Sequence, residues 1–384
     1  MEGNMVMKKK RILLYNHFFT YGGAEVFLKS LAEYLANVGY DVTVAAAPTT
    51  KNDFHHPYGR KVKYVWRPSP KKGTKKYSPI WFLDHAFCRI AVSAVDVFLS
   101  LKGYDIIVAV KDKWLLRNVL RIRGKRKFAW VHVDYSTYTF HKDCFASEKE
   151  ELDCMRRFEK IVCVSETARN GIIQMLGDPG NLTVKYVPID HKRILSMSKL
   201  PCPMKRRTEQ PLIVSVGRLD PEKQYPMLLR CCAALHREFP FELWLIGDGK
   251  ERPILEEYIE QEHLDFVHLL GAQENPYHYL AQADMFVSSS RTESYGLAVQ
   301  EALILGVPVV AVRCPGIEES LDPRFGILTD NTDDALQNGI RSFLQDPDAL
   351  RLFREVISSR FDRTDLYEKR LKSITDLWEK GEEQ

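Results

Sequence analysis

The sequence predicts an α/β protein with two doubly wound, Rossmann-like domains that face a central cleft. The chain has 384 residues, which is more than one hydrophobic core usually holds. Short, continuous apolar segments alternate with segments of helical periodicity, which is typical of parallel sheets covered on both faces by helices. The alternation stops over residues 191–210 and begins again at Pro211, which predicts a linker and a second domain.

The first half of the chain contains a regular series of predicted strands. The strands are 11–16, 41–46, 105–110, 128–132, 161–164 and 183–187. Between the first two, apolar residues recur at helical spacing over residues 24–38, and Gly39 follows as a helix-ending residue.

A second series of strands predicts the second domain. Its strands are 211–216, 241–246, 266–270, 284–287 and 307–311. A last helix is predicted over residues 364–378. The predicted domains are therefore residues 1–195 and 196–360, and we expect residues 361–384 to return to the first domain. Ligands bind outside the carboxyl ends of the strands in this architecture, so the cleft is the expected site.

Composition argues against several classes of protein. No apolar run approaches the roughly 20 residues that span a bilayer, and the apolar stretch 12–15 is too short for a signal peptide. The eight cysteines are scattered without a C-x-x-C pair or zinc-type spacing. These features predict a reduced, cytoplasmic protein without a metal site.

The two halves carry opposite net charge. Residues 1–190 hold 31 Lys and Arg against 19 Asp and Glu, or +12, and the remainder holds 24 against 32, or −8. Eight cationic residues and no acidic one lie within residues 60–76, near Tyr64, Trp66, Tyr77, Trp81 and Phe82. A basic, aromatic-rich segment suggests an anionic partner, and a solvated loop is the alternative.

A strand-to-helix segment in the second half holds the most specific pattern. It reads Glu293-Ser-Tyr-Gly-Leu-Ala-Val-Gln-Glu301, with one carboxylate in the turn and the other on the helix. Unpaired N–H groups at Gly296, Leu297 and Ala298 form a helix start that suits phosphate. Carboxylates beside a phosphate site suggest a nucleotide sugar.

Further candidates lie at the ends of other predicted strands. Arg218 and Lys223 follow strand 211–216 and could both reach one anion. Gly22 and Gly23 lie in a strand-to-helix turn, where glycine permits close approach of a ligand. His132, with Asp134 two residues later, could bind sugar hydroxyls or accept a proton.

In combination these motifs resemble the retaining glycosyltransferases of the GT-B fold, specifically glycosyltransferase family four. The matching pieces occur in family order and cover nearly the whole chain. They are Gly22-Gly23-Ala-Glu25, Val164-Ser165-Glu166, Val216-Gly-Arg218 with Lys223, Ile246-Gly-Asp-Gly249, and Glu293-x7-Glu301 with Ala302. The sequence departs from the family pattern at two places. The family usually has Lys-Gly where this chain has Lys223-Gln224. The family often has an Asn before a small residue and Asp, where this chain has Val187-Pro-Ile-Asp190.

The resemblance implies a role for each matching residue. It places Arg218 and Lys223 on the donor diphosphate, completed by the amides near Leu297 and Ala298. It places Glu293 on the donor sugar and Glu301 on the ribose. The remaining implied positions are Leu270 beside the base, Gly22 and Gly23 at the donor, His132 in catalysis, and Glu25, Asp134, Ser165 and Glu166 on the acceptor side.

We therefore expect a retaining, metal-independent hexosyltransferase without a cofactor. We expect its partners to be a nucleotide diphospho-sugar, with UDP as the expected nucleotide, and a lipid-linked or glycan acceptor at the anionic inner face of the plasma membrane. Two alternatives stay open: a sugar-nucleotide epimerase or phosphorylase on the same fold, and a basic nucleic-acid-binding protein. The latter has no recognised module to support it.

Overall fold

The chain divides into two compact units, described here from a computed structural model. The structure describes residues 9–18, 23–47, 61–68, 78–137, 144–206 and 209–380. The first unit comprises Met1–Pro188 with Glu368–Gln384, and the second comprises Ile189–Tyr367. Within the described residues, no helix has the length and apolarity needed to cross a membrane.

The first unit is built on a sheet of seven parallel strands, counted over the described residues, in the order β3-β2-β1-β4-β5-β6-β7. The strands are β1 Arg11–Phe18, β2 Asp41–Ala47, β3 Lys63–Trp66, β4 Tyr104–Ala109, β5 Gly124–Val131, β6 Lys160–Cys163 and β7 Leu182–Val184. The helices that connect them are α1 Gly23–Asn37, α2 Pro79–Leu101, α3 Trp114–Arg121, α4 Glu148–Met155 and α5 Glu166–Leu176. The central strands carry continuous apolar runs because helices cover both faces of the sheet, and Ile12 to Tyr15 of β1 are fully buried.

The second unit has a sheet of six parallel strands among its described residues, in the order β10-β9-β8-β11-β12-β13. The strands are β8 Leu212–Val216, β9 Glu242–Ile246, β10 Val267–Gly271, β11 Met285–Ser288, β12 Val309–Val312 and β13 Gly326–Thr329. Its helices are α6 His191–Ser198, α7 Tyr225–His236, α8 Arg252–Gln261, α9 Tyr277–Leu280, α10 Leu297–Ile304, α11 Pro315–Ser320, α12 Asp333–Gln345 and α13 Pro347–Arg360.

Each sheet reverses its strand order at one point. In the first unit the reversal lies between β1 and β4, and in the second it lies between β8 and β11. The loops leaving such a pair of strands diverge to opposite sides of the sheet, which opens a crevice at their carboxyl ends. These two crevices are where the motif residues of each unit should lie.

The boundary between the units falls at 188/189, before the predicted boundary at 195/196. The predicted linker over residues 191–210 begins with helix α6. Asp190 caps this helix, and the buried Ile194 packs with Tyr295 and Ile304 of the second unit. The mostly polar composition of the segment hid the few apolar residues that pack on the second unit, among which Ile194 is the most buried.

The chain end returns to the first unit, through a π-helical turn Asp365–Lys369 and helix α14 Arg370–Lys380. Trp378 is fully buried, with its ring 6.0 Å from that of Trp130 on β5. The Arg126 guanidinium donates to the Trp378 carbonyl. Glu379 pairs with Lys10 and accepts from the Tyr40 hydroxyl.

Of the basic segment 60–76, the structure describes residues 61–68. Residues 63–66 form β3, where Tyr64 and Trp66 stack with ring centroids 5.8 Å apart. Arg67 is buried, over the Tyr15 ring at 4.3 Å, with Nη1 donating to the Asn16 carbonyl at 3.2 Å. The solvated-loop interpretation is therefore wrong for residues 63–67, because one cation of the run is an internal packing group.

Gln224 occupies a backbone conformation that favours glycine. Its φ is 51° and its ψ is 38°, between the 3₁₀ turn Pro221–Lys223 and α7. The side chain is partly buried, and its Oε1 finds no hydrogen-bond partner in the described part of the chain. A residue with a Cβ costs about 1–2 kcal/mol in this left-handed region.

Replacing Gln224 with glycine should stabilise the protein, because the left-handed backbone strain disappears. After the greater unfolded-state freedom of glycine is subtracted, we expect about 0.5–1 kcal/mol, measured by urea or thermal unfolding. Gln224→Ala is the matched control, since it removes the amide but keeps the Cβ. Equal stability of the two variants would contradict the backbone explanation.

Candidate functional site

The loop after β8 is held against the turn after β9 by close backbone contact. A Cβ on Gly247 would lie 1.8 Å from the Gly217 carbonyl oxygen, and one on Gly249 would lie 2.4 Å from the Leu219 carbonyl oxygen. The Leu219 N–H donates to the Asp248 carbonyl at 3.1 Å. The Gly247-Asp-Gly249 turn is thus a structural support for the loop that carries Arg218.

Arg218 lies at the carboxyl end of β8 with its guanidinium 59% exposed. It contacts Asp220 at 2.5 Å and Glu222 at 3.5 Å. Asp220 is almost fully buried, so it holds one side of the exposed arginine in place. The exposed face of the guanidinium remains available for an anion.

Lys223 and Glu293 join the loops that follow β8 and β11. Lys223 Nζ lies 2.5 Å from Glu293 Oε1, and both side chains are about one-fifth exposed. The Ser290 hydroxyl donates to the same Glu293 oxygen at 3.0 Å. The Ser289 hydroxyl donates to the Lys223 carbonyl at 2.6 Å. Two of these contacts, Lys223–Glu293 and Ser289–Lys223, join the two loops at the second crevice, and the Ser290 hydrogen bond orients Glu293 within its own loop.

Helix α10 begins directly beyond Glu293. Its first turn follows Gly296, whose φ is 67° and whose missing Cβ would meet Ile317 Cδ1 at 2.6 Å. Among the described residues, the N–H groups of Leu297 and Ala298 have no backbone acceptor. Such a helix start carries partial positive charge and can bind an anion.

Glu301 lies one turn further along α10 and has a different environment from Glu293. The Tyr277 hydroxyl of α9 donates to Glu301 Oε1 at 3.0 Å. Burial raises the pKa of Glu301 to about 7, and the Tyr277 hydrogen bond acts in the opposite direction. Near neutral pH this carboxyl is therefore partly protonated.

Leu270 lies in β10, at the edge of the second sheet. Its side chain is half-buried in the core under α10, and its carbonyl accepts from Gln273 Nε2 at 2.6 Å. The backbone ends the strand at Gly271, whose φ is 71°.

In the first unit, the predicted residues lie around the crevice between β1 and β4. Gly22 lies outside the described residues, and Gly23 begins α1. Glu25, in the first turn of α1, forms an ion pair with Lys111, which follows β4. Lys111 has no motif signal in the sequence, because its role depends on the pairing of β1 with β4.

His132 follows β5 and packs against α1 and the segment that follows β4. Its ring centroid lies 5.2 Å from that of Phe27 on α1, and its Nε2 lies 3.0 Å from the Val110 carbonyl oxygen. Burial, with the Lys111 charge beside it, lowers the pKa of His132 to about 3. The neutral ring donates from Nε2 to Val110, which leaves a lone pair on Nδ1. This geometry favours hydroxyl binding over proton uptake, the two possibilities predicted from sequence.

Three residues predicted on the acceptor side have local structural roles. Asp134 is buried, accepts from the Ser136 N–H at 2.9 Å, and closes a turn against α5. The buried Ser165 hydroxyl caps α5 by accepting from Ala168 N–H at 3.0 Å. Glu166 is exposed and pairs with Arg169 one turn along the same helix. These contacts fix Asp134 and Ser165 within the first unit, and acceptor binding by Asp134, Ser165 and Glu166 stays a prediction.

Several contributing residues were missed at the sequence level. Tyr277, Ser289 and Ser290 each bind a predicted residue, yet they lie outside the motifs. The serine run after β11 was a visible signal, since hydroxyls at a strand's carboxyl end face the ligand edge. Within the described ranges, no three His, Cys, Asp or Glu side chains are grouped as metal ligands.

The variant Glu301→Gln should stabilise the protein at alkaline pH. The folded-state pKa of Glu301 is raised from 4.5 to about 7, so the wild type loses stability as the pH rises through that interval. At 1.36 kcal/mol per pKa unit the loss approaches 3 kcal/mol, and remaining contact with water reduces our expectation to about 2 kcal/mol. Thermal unfolding should show the gain at about pH 8 and none at about pH 4.5. A gain of the same size at both pH values would contradict this assignment.

Two family models match the chain, one in each half. The model described as Glycosyltransferase Family 4 matches residues 21–193, and the model described as Glycosyl transferases group 1 matches residues 202–358. Together they cover the second sheet and all strands of the first sheet except β1, which precedes residue 21.

Curated relatives match over part of their length. The chain is 35% identical over 153 residues to a GDP-mannose-dependent alpha-(1-6)-phosphatidylinositol monomannoside mannosyltransferase of Mycolicibacterium smegmatis. It is 29% identical over 169 residues to N-acetylgalactosamine-N,N'-diacetylbacillosaminyl-diphospho-undecaprenol 4-alpha-N-acetylgalactosaminyltransferase of Campylobacter jejuni. The alignments cover 36% and 42% of this chain, and 40% and 46% of these relatives.

The fold is similar to that of solved glycosyltransferase-like structures over nearly the whole chain. Anabaena Alr3699/HepE in complex with UDP aligns with a TM-score of 0.69 at 20% identity, covering 96% of this chain and 100% of that chain. The likeness shows the GT-B fold class, with two parallel-sheet Rossmann-like domains. The chain therefore belongs to glycosyltransferase family four.

Proposed function

We propose that this protein is a retaining glycosyltransferase that moves a hexosyl unit from a nucleotide diphospho-sugar to an acceptor hydroxyl. The observation that supports this best is the joining of the β8 and β11 loops by Lys223 and Glu293. It brings a cation, a carboxylate and the start of α10 to one edge of the second sheet. A diphosphate with a sugar attached offers a partner to all three groups.

The leaving diphosphate would be held by Arg218, Lys223 and the N–H groups of Leu297 and Ala298. Arg218 has an exposed guanidinium, and its fork geometry matches phosphate oxygens. In the free protein Lys223 is paired with Glu293, so an entering diphosphate would share or take over this lysine. Fixed donors contribute most when they face charge that develops in the transition state.

Glu293 would bind hydroxyls of the donor sugar. Its carboxylate is already oriented by Lys223 and by the Ser290 hydroxyl, both on the same Oε1, which leaves Oε2 for a substrate hydroxyl. In the proposed reaction, the acceptor oxygen attacks the anomeric carbon on the side that the diphosphate leaves. The acceptor proton passes to the leaving phosphate oxygen, and no covalent enzyme intermediate forms.

Glu301 would accept hydrogen bonds from the ribose hydroxyls, with Tyr277 fixing its orientation. The pKa of Glu301 is raised to about 7. Hydrogen bonds from the ribose hydroxyls would favour the ionised carboxylate, so ribose binding would compete with protonation of Glu301. His132, neutral and with a free lone pair on Nδ1, would orient a sugar hydroxyl from the first unit. Leu270 would lie beside the base.

The donor is proposed to be a UDP-hexose. HepE, with the same fold, was crystallised with UDP and with UDP-glucose, whereas the mycobacterial relative is named as GDP-mannose-dependent. We propose that no divalent metal is needed, because cations and amides of the chain face the diphosphate. Binding of UDP and of GDP, each measured with and without Mg²⁺, tests both the proposed nucleotide and the proposed independence from metal.

The acceptor is proposed to be a lipid-linked or surface-glycan intermediate at the inner face of the plasma membrane. The two curated relatives are named for a phosphatidylinositol mannoside and for a diphospho-undecaprenol-linked glycan. The +12 charge of residues 1–190 would favour an anionic membrane surface. An epimerase, a phosphorylase and a nucleic-acid-binding protein would each fail to release UDP on adding UDP-sugar and acceptor.

The variant Glu293→Ala should lose transfer, with kcat falling at least about 100-fold, because the sugar loses its orienting carboxylate. Turnover is measured as UDP release in the presence of acceptor. Glu293→Gln keeps the side-chain shape and should also be impaired, whereas Glu318→Ala, which removes an exposed acid of α11, should be normal. Near-normal turnover of a folded Glu293→Ala protein would refute the assignment.

The variant Arg218→Ala should weaken UDP binding. A hydrogen bond to a charged group contributes about 1.5–3 kcal/mol, so the Kd should rise roughly 10- to 100-fold. Isothermal titration with UDP and with uridine separates the diphosphate contribution, since uridine binding should not change. The control is Arg351→Ala, an exposed cation on α13. An equal loss of uridine affinity would show that Arg218 acts through the fold.

A further inference from the structure

Helix α2 of the first unit exposes a long apolar stripe, which here is called the α2 stripe. Its large side chains recur with alternating spacings of three and four residues, with the small Ala94 between the fourth and fifth. They are Ile80, Leu83, Phe87, Ile90, Val97 and Leu101. Each is between 61% and 80% exposed, so the stripe is not part of the core of this unit.

The opposite side of α2 is the side that packs on the protein. Cys88 and Leu99 are buried there, and Asp96 accepts from the buried Tyr15 hydroxyl of β1 at 2.7 Å. At about 100° per residue, the buried and exposed sets lie on opposite sides of the helix. The anchoring through Asp96 therefore fixes which side of α2 faces outward.

A contiguous exposed apolar face of this length marks an interaction surface. With 23 residues at 1.5 Å rise, α2 extends about 34 Å along the surface. Its spacing suits either a second copy of the helix or the boundary region of a lipid bilayer.

Charge favours the bilayer. Residues 1–190 carry a net +12, and four lysines occur in the sequence just before α2, at positions 71, 72, 75 and 76. At the other end of the stripe, Lys102 is exposed with its Nζ 4.6 Å above the Phe98 ring, as a lysine at a membrane interface lies. Two copies docked through α2 would bring like charges together, whereas an anionic surface attracts them.

The flanking positions of the helix agree with this choice. Two-stranded coiled coils usually carry complementary charges beside the apolar seam. Beside the α2 stripe those positions hold Ala86, Ala91, Ser93, Phe98 and Ser100, and Asp84 alone is charged. Phe98, which is 45% exposed, widens the apolar face beyond the narrow seam of a helix pair.

We propose that the α2 stripe lies in the headgroup–acyl boundary of an anionic membrane and holds the first unit on it. This inference takes from the proposed function only the class of membrane, because vesicle binding needs neither the sugar donor nor the acceptor. If the protein fails to bind vesicles, sugar transfer can still be measured separately. If sugar transfer fails, vesicle binding can still be measured.

The experiment is flotation with vesicles of phosphatidylcholine, alone or with about one third phosphatidylglycerol, at low and physiological salt. The wild type should float with the anionic vesicles, less so as salt rises, and little with the neutral ones. Phe87→Ser/Ile90→Ser should reduce binding about tenfold or more, because two side chains of the stripe no longer enter the apolar region.

The matched control is Ile254→Ser/Leu352→Ser, which removes two side chains of similar exposure from α8 and α13 of the second unit. This variant should float like the wild type. If Phe87→Ser/Ile90→Ser melts at a lower temperature, Leu83→Ser/Leu101→Ser replaces it on the same stripe.

Three outcomes would overturn the proposal. The first is unchanged flotation of both stripe variants. The second is equal binding of the wild type to neutral and anionic vesicles. The third would be seen by light scattering: the wild type is a dimer, and the stripe substitutions convert it to a monomer without affecting vesicle binding. That result would assign the stripe to contact with a second copy of the chain.

Discussion

The parallel pairing of β8 with β11 is the constraint on which the candidate site depends. The two strands are some seventy residues apart, yet Ile213 aligns with Met285 and Val214 with Phe286. This register places the loop 217–223 beside the loop 289–296 at the carboxyl edge of the sheet. Lys223, Ser289 and Glu293 then close the contact with hydrogen bonds and an ion pair that either loop alone would lack.

The same arrangement gives the two motif glutamates different surroundings. Glu293 contacts the Lys223 ammonium and the Ser290 hydroxyl through one carboxylate oxygen. Glu301 accepts from the neutral Tyr277 hydroxyl, and burial raises its pKa to about 7. A motif that looks symmetrical in sequence therefore consists of one carboxylate in an ion pair and one buried carboxyl whose pKa is raised.

In the first unit, the reversal of strand order between β1 and β4 also brings distant residues together. The β1–β4 pairing brings Glu25 of α1 to Lys111, and burial, with the Lys111 charge in addition, lowers the pKa of the nearby His132. On another face, α2 is oriented by a buried hydrogen bond to β1, and this orientation alone decides that its apolar stripe faces outward. One strand, β1, thus positions both the polar crevice and the exposed helix.

The sequence by itself determined the fold class, the strand series and the main motifs, because apolar runs and glycine-containing turns are local signals. Arg218, Lys223 and Glu293 were predicted to act together, and the structure places them at one edge. The sequence did not show that Asp134 closes a local turn and that Ser165 caps a helix, since a polar residue at a strand end looks the same in these roles and in ligand binding. It also missed α6, Tyr277 and Lys111, whose partners are distant in the chain. Only the tertiary structure decided those contacts, the protonation of Glu301 and the outward face of α2, because burial and pairing depend on which strands become neighbours.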